Sequence, residues 1–267
     1  MRGLVAALAV LLCAAGGWPL ATAPQDVDFA GYDVVIMGEV HDNPVHHANQ
    51  ADWVARLSPT AVVFEMLTPE LADKARPAVM DNAALADLFQ WEQRGWPDFG
   101  MYAPIFRAAP KAAVIGGDVP AAQLRTALRE GAAAAFGEAA PLFALNRPLP
   151  RPESEAREAL QAEAHCNALP TEILPGMVEA QRLRDAALAQ GVVAGLLLTG
   201  GPVAVITGNG HARTDWGLPA ALRAALPDAR VLSIGQFETP PDFDPLHDLF
   251  TLTAAPPRSG DPCDVFR

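Results

Sequence analysis

Basic residues are few in this chain: 19 Lys and Arg stand against 31 Asp and Glu in 267 residues, a formal net charge of −12. That balance excludes nucleic acid and anionic membrane surfaces as partners, since both demand a cationic face. Long apolar runs are missing after the first two dozen residues, so nothing later reads as a membrane span. Tyrosine is almost absent, with Tyr32 and Tyr102 alone. Cysteine is scarce as well. Cys13 falls in the leading apolar stretch, which leaves Cys166 and Cys263.

That leading stretch has a chemistry of its own. Leu4 to Leu12 are unbroken apolar residues behind a single charge, Arg2, and Ala21-Thr22-Ala23 offers small residues at the spacing a signal peptidase reads. Residues 1–23 are therefore expected to be a signal peptide and the location periplasmic or cell-envelope. Residues 24–267, about 244 of the 267, then form one domain with room for a full core, at a net charge near −13. Leu12 is larger than the residue a lipoprotein signal carries before its cysteine, so a lipid anchor at Cys13 is not expected. In an exported protein an even pair of cysteines reads as a disulfide, here Cys166–Cys263, pinning the tail 240–267 to the domain; two separate buried thiols are the alternative.

Short apolar, mostly β-branched runs recur at 33–37, 61–64, 112–115, 203–207 and 231–234. Their apolarity is continuous rather than alternating, as in strands buried on both faces of a parallel sheet. Asn43 and Pro44 make a cap and first-turn pair for a helix reaching Leu57. Further helices are expected at 120–130, 153–164, 175–198 and 218–226. The order is βαβ, and the fold class is α/β: a mostly parallel central sheet with helices on both faces. Residues 85–107 interrupt this pattern with Phe89, Trp91, Trp96, Phe99, Tyr102 and Phe106, and read as a small helical insert covering part of the sheet. Residues 141–152, rich in proline, read as an extended surface connection.

Ligands of an open parallel sheet sit outside the carboxyl ends of its strands. Gly38-Glu39-Val40-His41 follows the first strand, Glu65 ends the second, Asp118 follows the third, and Gly208-Asn209-Gly210-His211 follows the fourth. A lone histidine after a strand is more often structural, and Glu65 alone would cap a helix or pair with Arg213. Together, the two Gly-x-x-His turns and Glu65 make a His-carboxylate-His set. That set suits a divalent metal such as zinc or iron, with His41, Glu65 and His211 as ligands, or an acid-base pair without metal. Of His46 and His47 on the first helix, one is expected to face the site and the other solvent. His47 is the choice, since Gln50 and Val54 extend its stripe. Gln181, Arg184 and Asp185 sit at helical spacing and are either a solvated face or support for the site. His165 is read as structural and His247 as exposed.

The segments GEVHDNPVHHANQ, VVFEM, WPDFGMYAPIF, AEAHC, MVEAQRLRDAALA, GNGHAR and the terminal DPC resemble the ChaN-like haem-binding uptake proteins of the Tiki/TraB-type superfamily. Two Gly-x-x-His motifs and a glutamate are hallmarks of that group, matched here by Gly38, His41, Glu65, Gly208 and His211. The resemblance implies haem as cofactor, homodimers on haem binding, and support of haem or iron uptake alongside envelope uptake machinery. Tyr102, His47, Gly38, Gly208 and Arg213 are the expected haem-facing residues, with the Tyr102 phenolate as a candidate iron ligand. For the Tiki-type relatives the resemblance implies metal-dependent hydrolysis, with His41, His211, Glu65 and Glu39 as the catalytic set.

Overall fold

The computed structural model describes residues 21–241, 246–258, 260 and 263. The leading apolar stretch of the expected signal peptide, with Cys13, lies outside them. Six strands form one sheet: β1 (Val34–Glu39), β2 (Ala61–Phe64), β3 (Ala113–Gly116), β4 (Val203–Gly208), β5 (Val231–Phe237) and β6 (Leu249–Leu252). Their order is β3-β2-β4-β1-β5-β6, and every pairing is parallel. The helices are α1 (Pro44–Leu57), α2 (Pro69–Ala72), α3 (Asn82–Leu88), α4 (Phe99–Ala108), α5 (Ala121–Glu130), α6 (Ala132–Phe136), α7 (Arg151–Ala164), α8 (Leu174–Thr199), α9 (Asn209–Ala212) and α10 (Leu218–Ala225).

Continuous apolarity in the strands has the expected cause, because both sheet faces are covered. Val35, Met37, Val62, Phe64 and Ile206 face one layer, which holds α1, α3 and α4. Val34, Ile36, Val63 and Val205 face the other, built on α8 and α10. The aromatic segment folds as α3 and α4 and packs into the first layer; Phe106 stacks on Phe64 with ring centroids 4.2 Å apart. Such a ring pair adds about 0.5–1.5 kcal/mol beyond its buried area. Packing within this layer occupies most of these rings, as expected of an insert that covers the sheet.

Two expectations fail locally. Residues 141–152 are not an extended connection: a 3-10 helix runs Gly137–Phe143, Phe143 and Leu145 are buried, and α7 begins at Arg151. Their apolar side chains draw the segment into the second layer, where proline fixes the backbone without preventing the turn. The tail also carries a strand, β6, paired parallel to β5 from Ile234↔Leu249 to Phe237↔Leu252. Cys166 and Cys263 are joined as a disulfide across a sequence separation of 97. Among the described residues no helix is long and apolar enough to cross a membrane.

Candidate functional site

The sheet order turns three scattered motifs into one site. β2, β4 and β1 are adjacent, so Glu65, the turn after β4 and the turn after β1 meet at one edge. Glycine allows the meeting at two points. A Cβ on Gly208 would sit 3.0 Å from His41 Nε2, and one on Gly38 would collide with Asn209 Oδ1 and lie 2.8 Å from the Ile234 carbonyl. Asn209 then clasps β5, donating to the Gln236 carbonyl (2.6 Å) and accepting from the Gln236 N–H (3.0 Å).

At the centre stands Glu65. Its Oε2 accepts from the Thr207 hydroxyl (2.7 Å) and the Gly208 N–H (2.8 Å). Its Oε1 faces two imidazoles, His211 Nε2 at 3.6 Å and His41 Nε2 at 3.8 Å. Each imidazole is held from behind by another carboxylate. His41 Nδ1 donates to Glu39 and His211 Nδ1 to Asp185, both at 2.7 Å. The Gln181 amide nitrogen lies 3.1 Å from His211 Nδ1. Gln181 and Asp185 therefore support the site rather than forming a solvated face. The alternative partners for Glu65 are excluded: Thr68 caps α2, and Arg213 pairs with Asp215.

The charges follow from this geometry. Burial works against protonating His41, but Glu65 and Glu39 outweigh it and push the imidazole up to about 9. Burial likewise opposes a charge on His211, and Glu65 and Asp185 again raise it. Glu39 is fully buried, which disfavours its charge, yet hydrogen bonds from His41 and His47 hold its carboxyl far below the usual range. The result is two imidazoles, both biased toward the protonated form, facing one carboxylate. Such a set can hold an anion, deliver a proton, or activate a water through Glu65 once a histidine loses its proton.

Several expected residues are placed differently. His46 and His47 are both fully buried, so neither is solvated. His47 does not reach the cleft; its Nε2 donates to the His41 carbonyl (2.9 Å), steadying the turn from below. His46 Nδ1 accepts from the Val40 N–H (2.9 Å). Tyr102 is fully buried and donates its hydroxyl to Glu39 at 2.6 Å. Burial and the Glu39 charge keep that proton on, which corrects the expectation of an iron-facing phenolate. Arg213 lies over the Trp216 ring at 3.9 Å and points to Asp215 rather than the cleft. His247 is half-buried, not exposed, against the Asn209 carbonyl (3.3 Å). Asp118 pairs with Arg94 (2.6 Å). Among the described residues no group of three His, Cys, Asp or Glu is arranged to hold a metal ion.

The cluster opens into a cleft of about 650 Å³ between α7, α8 and the strand ends. Leu160, Ala164, Met177, Val178 and Trp216 form its apolar wall, and His41, His165 and His211 its imidazoles. Ala164, Met177 and Val178 lie in segments that carry the family resemblance, whereas Leu160 and Trp216 carry no signal in the sequence. A model of the family "Haem-binding uptake, Tiki superfamily, ChaN" matches residues 27–222. The chain belongs to this family. This ChaN-like chain is similar in structure to ChaN of Campylobacter jejuni, solved as a case of cofacial haem binding, with 16% identity, a TM-score of 0.60, and 81% of this chain and 85% of that one covered. The type III effector HopBA1 also matches, with 12% identity, a TM-score of 0.47, and 83% and 88% covered. No curated protein matches the ChaN-like chain.

The buried histidines make stability depend on pH in a stated direction. His46 and His247 are lowered to about 4, chiefly by burial. Below the unfolded value near 6.5 the unfolded chain takes up protons that the folded chain refuses, so stability falls as pH drops from about 6.5 toward 4. His41, raised to about 9, acts oppositely: its contribution is complete below about 6.5 and is lost as pH rises toward 9. Thermal melts from pH 4 to 9 are expected to peak near pH 6–7 (roughly the unfolded imidazole value). A melting temperature that is flat or rising from pH 7 to 9 would contradict the His41 assignment.

Proposed function

We propose that the chain binds haem in the cleft beside the His41–Glu65–His211 cluster. The observation that carries the reading is the cleft itself. It is apolar-walled, imidazole-bearing and about 650 Å³, within the range of small-molecule sites, in a chain of a haem-binding family. The residues suit haem: Leu160, Met177, Val178 and Trp216 would take the macrocycle, and half-exposed His41 is the imidazole that would ligate iron. Haem bound there would supply an iron centre that the His41 imidazole would hold. Because His41 holds a proton at neutral pH, ligation releases it, so binding strengthens as pH rises toward 9. The envelope location, the uptake machinery as partner and the pairing of two copies on haem belong to the same reading and rest on the family alone.

A haemin titration followed by absorbance tests it. Wild-type protein is expected to saturate at a fixed stoichiometry. His41→Ala should weaken binding roughly tenfold or more and alter the spectrum, while Tyr102→Phe should leave the spectrum unchanged because its hydroxyl serves Glu39. Haemin that never saturates on wild type would end the haem reading.

A second reading is favoured by one feature, the convergence of two carboxylate-backed imidazoles on one Glu65 oxygen. That arrangement suits hydrolysis, with Glu65 handling the proton of a water, His41 and His211 steadying the developing charge and the buried Glu39 holding His41 from behind, with or without a zinc or iron ion. Metal analysis of protein purified without chelator, compared with His41→Ala/His211→Ala, separates the two forms. Stoichiometric metal in wild type and none in the double variant supports the metal form.

A further inference from the structure

The cleft is not the only cavity at the cluster. A second, of about 540 Å³, lies on the other side, lined by Arg94, Trp96, Asp118 and Leu124. The two share His41, Glu65 and Arg184 as common lining. Three arginines therefore border the combined space, and two are committed. Arg157 is bound to Glu153 and lies over the Trp216 ring. Arg94 donates to the Met66 carbonyl and to Asp118. Arg184 has no hydrogen bond or ion pair among the described residues, although it is half-buried on α8 beside Gln181 and Asp185.

A half-buried guanidinium that makes no hydrogen bond or ion pair with the described residues keeps its five donors available to an incoming anion. Its surroundings are rich in acidic groups, with Glu39, Glu65, Asp118 and Asp185 set against His41 and His211, and Asp118 already feels its charge. An anionic ligand entering this space needs a free cation, and Arg184 is the one the cleft keeps. We propose that Arg184 is the carboxylate anchor of the site and that the group it takes is a propionate of haem. This rests on the haem reading above. Guanidinium and carboxylate match as paired donors and acceptors, so a lysine would restore only part of the interaction.

The test uses haemin and haemin dimethyl ester, in which both carboxylates are capped, titrated into the full chain by absorbance. Wild type is expected to prefer haemin. Arg184→Gln should lose about ten- to hundredfold in haemin affinity with little change for the ester, and Arg184→Lys should recover part of the loss. The melting temperature of Arg184→Gln should stay near that of wild type, because no hydrogen bond or ion pair is lost and only its longer-range attraction to Asp118 goes. Equal weakening of both ligands, or no change for either, would overturn the anchor while leaving haem binding intact. Wild type that binds neither ligand would remove the haem reading and this inference together.

Discussion

Replacing Glu65 by alanine is expected to lower the unfolding free energy by about 3–5 kcal/mol at pH 7, the cost of removing one member of a buried ionic set. The carboxylate is 12% exposed and serves four groups at once. Without it the Gly208 N–H and Thr207 hydroxyl lose their acceptor, and His211 and His41 lose the anion between them. Burial disfavours the Glu65 charge, yet His211 and His41 hold its carboxyl below the usual value, so its own contribution is present above about pH 4.5 and lost as pH falls. The variant should also shift its neighbours. His41 should titrate well below 9, since Glu65 is the largest charge raising it, and the loss of stability between about pH 6.5 and 9 should flatten. Urea unfolding at pH 5, 7 and 9, with imidazole titration by NMR, measures both effects. A loss under about 1 kcal/mol with His41 unmoved would mean that the three residues do not act as a unit.

What the sequence reveals and what it hides have different physical origins. Five strands are readable because burial on both faces forces continuous apolarity, a local signal. β6 escapes because it is short, sits at the sheet edge with Leu252 exposed, and lies among proline and aspartate. The two Gly-x-x-His turns are local too. That their strands are neighbours is a property of sheet order, which no local pattern encodes. The fate of His46 and His47 shows the same limit: α1 alone presents a stripe, but β5, Glu238 and Ala254 meet its other side. Gln236 reaches the His46 carbonyl, and Asn43 donates to both Glu238 and Ala254. Asp185 was ambiguous because α8 is buried on nearly all sides and offers no polar face for comparison. Tyr102 was visible as a rare residue, and its rarity suggested a ligand. Its partner, Glu39, lies 63 residues away and joins it only through the packing of α4 on α1.

Removing the disulfide is expected to cost as much as any single site. Cys166 and Cys263 are 97 residues apart, and the loop-closure estimate for that span is about 4–5 kcal/mol, with measured losses commonly about 2–5. More than chain entropy depends on the link. The tail it anchors carries Arg258, which clamps Asp42 (2.6 Å) and Glu238 (2.7 Å) over the turn leading from His41 to α1. At the other end Cys166 directly follows His165, which lines the cleft. Cys166→Ser/Cys263→Ser should therefore melt roughly 8–20 °C below wild type, given that 1 kcal/mol moves the midpoint of a chain this size by about 2–4 °C. Reductant should bring wild type down to the same temperature and leave the double variant unmoved, which separates the bond from any effect of the serines. The exposed Arg258 clamp alone is worth much less, as surface ion pairs contribute about 0–1 kcal/mol, so Arg258→Ala should fall by only a few degrees. Equal losses in the two variants would shift the tail's contribution from the covalent link to the clamp, and no loss in either would show that the pairing of β6 with β5 holds the tail without them.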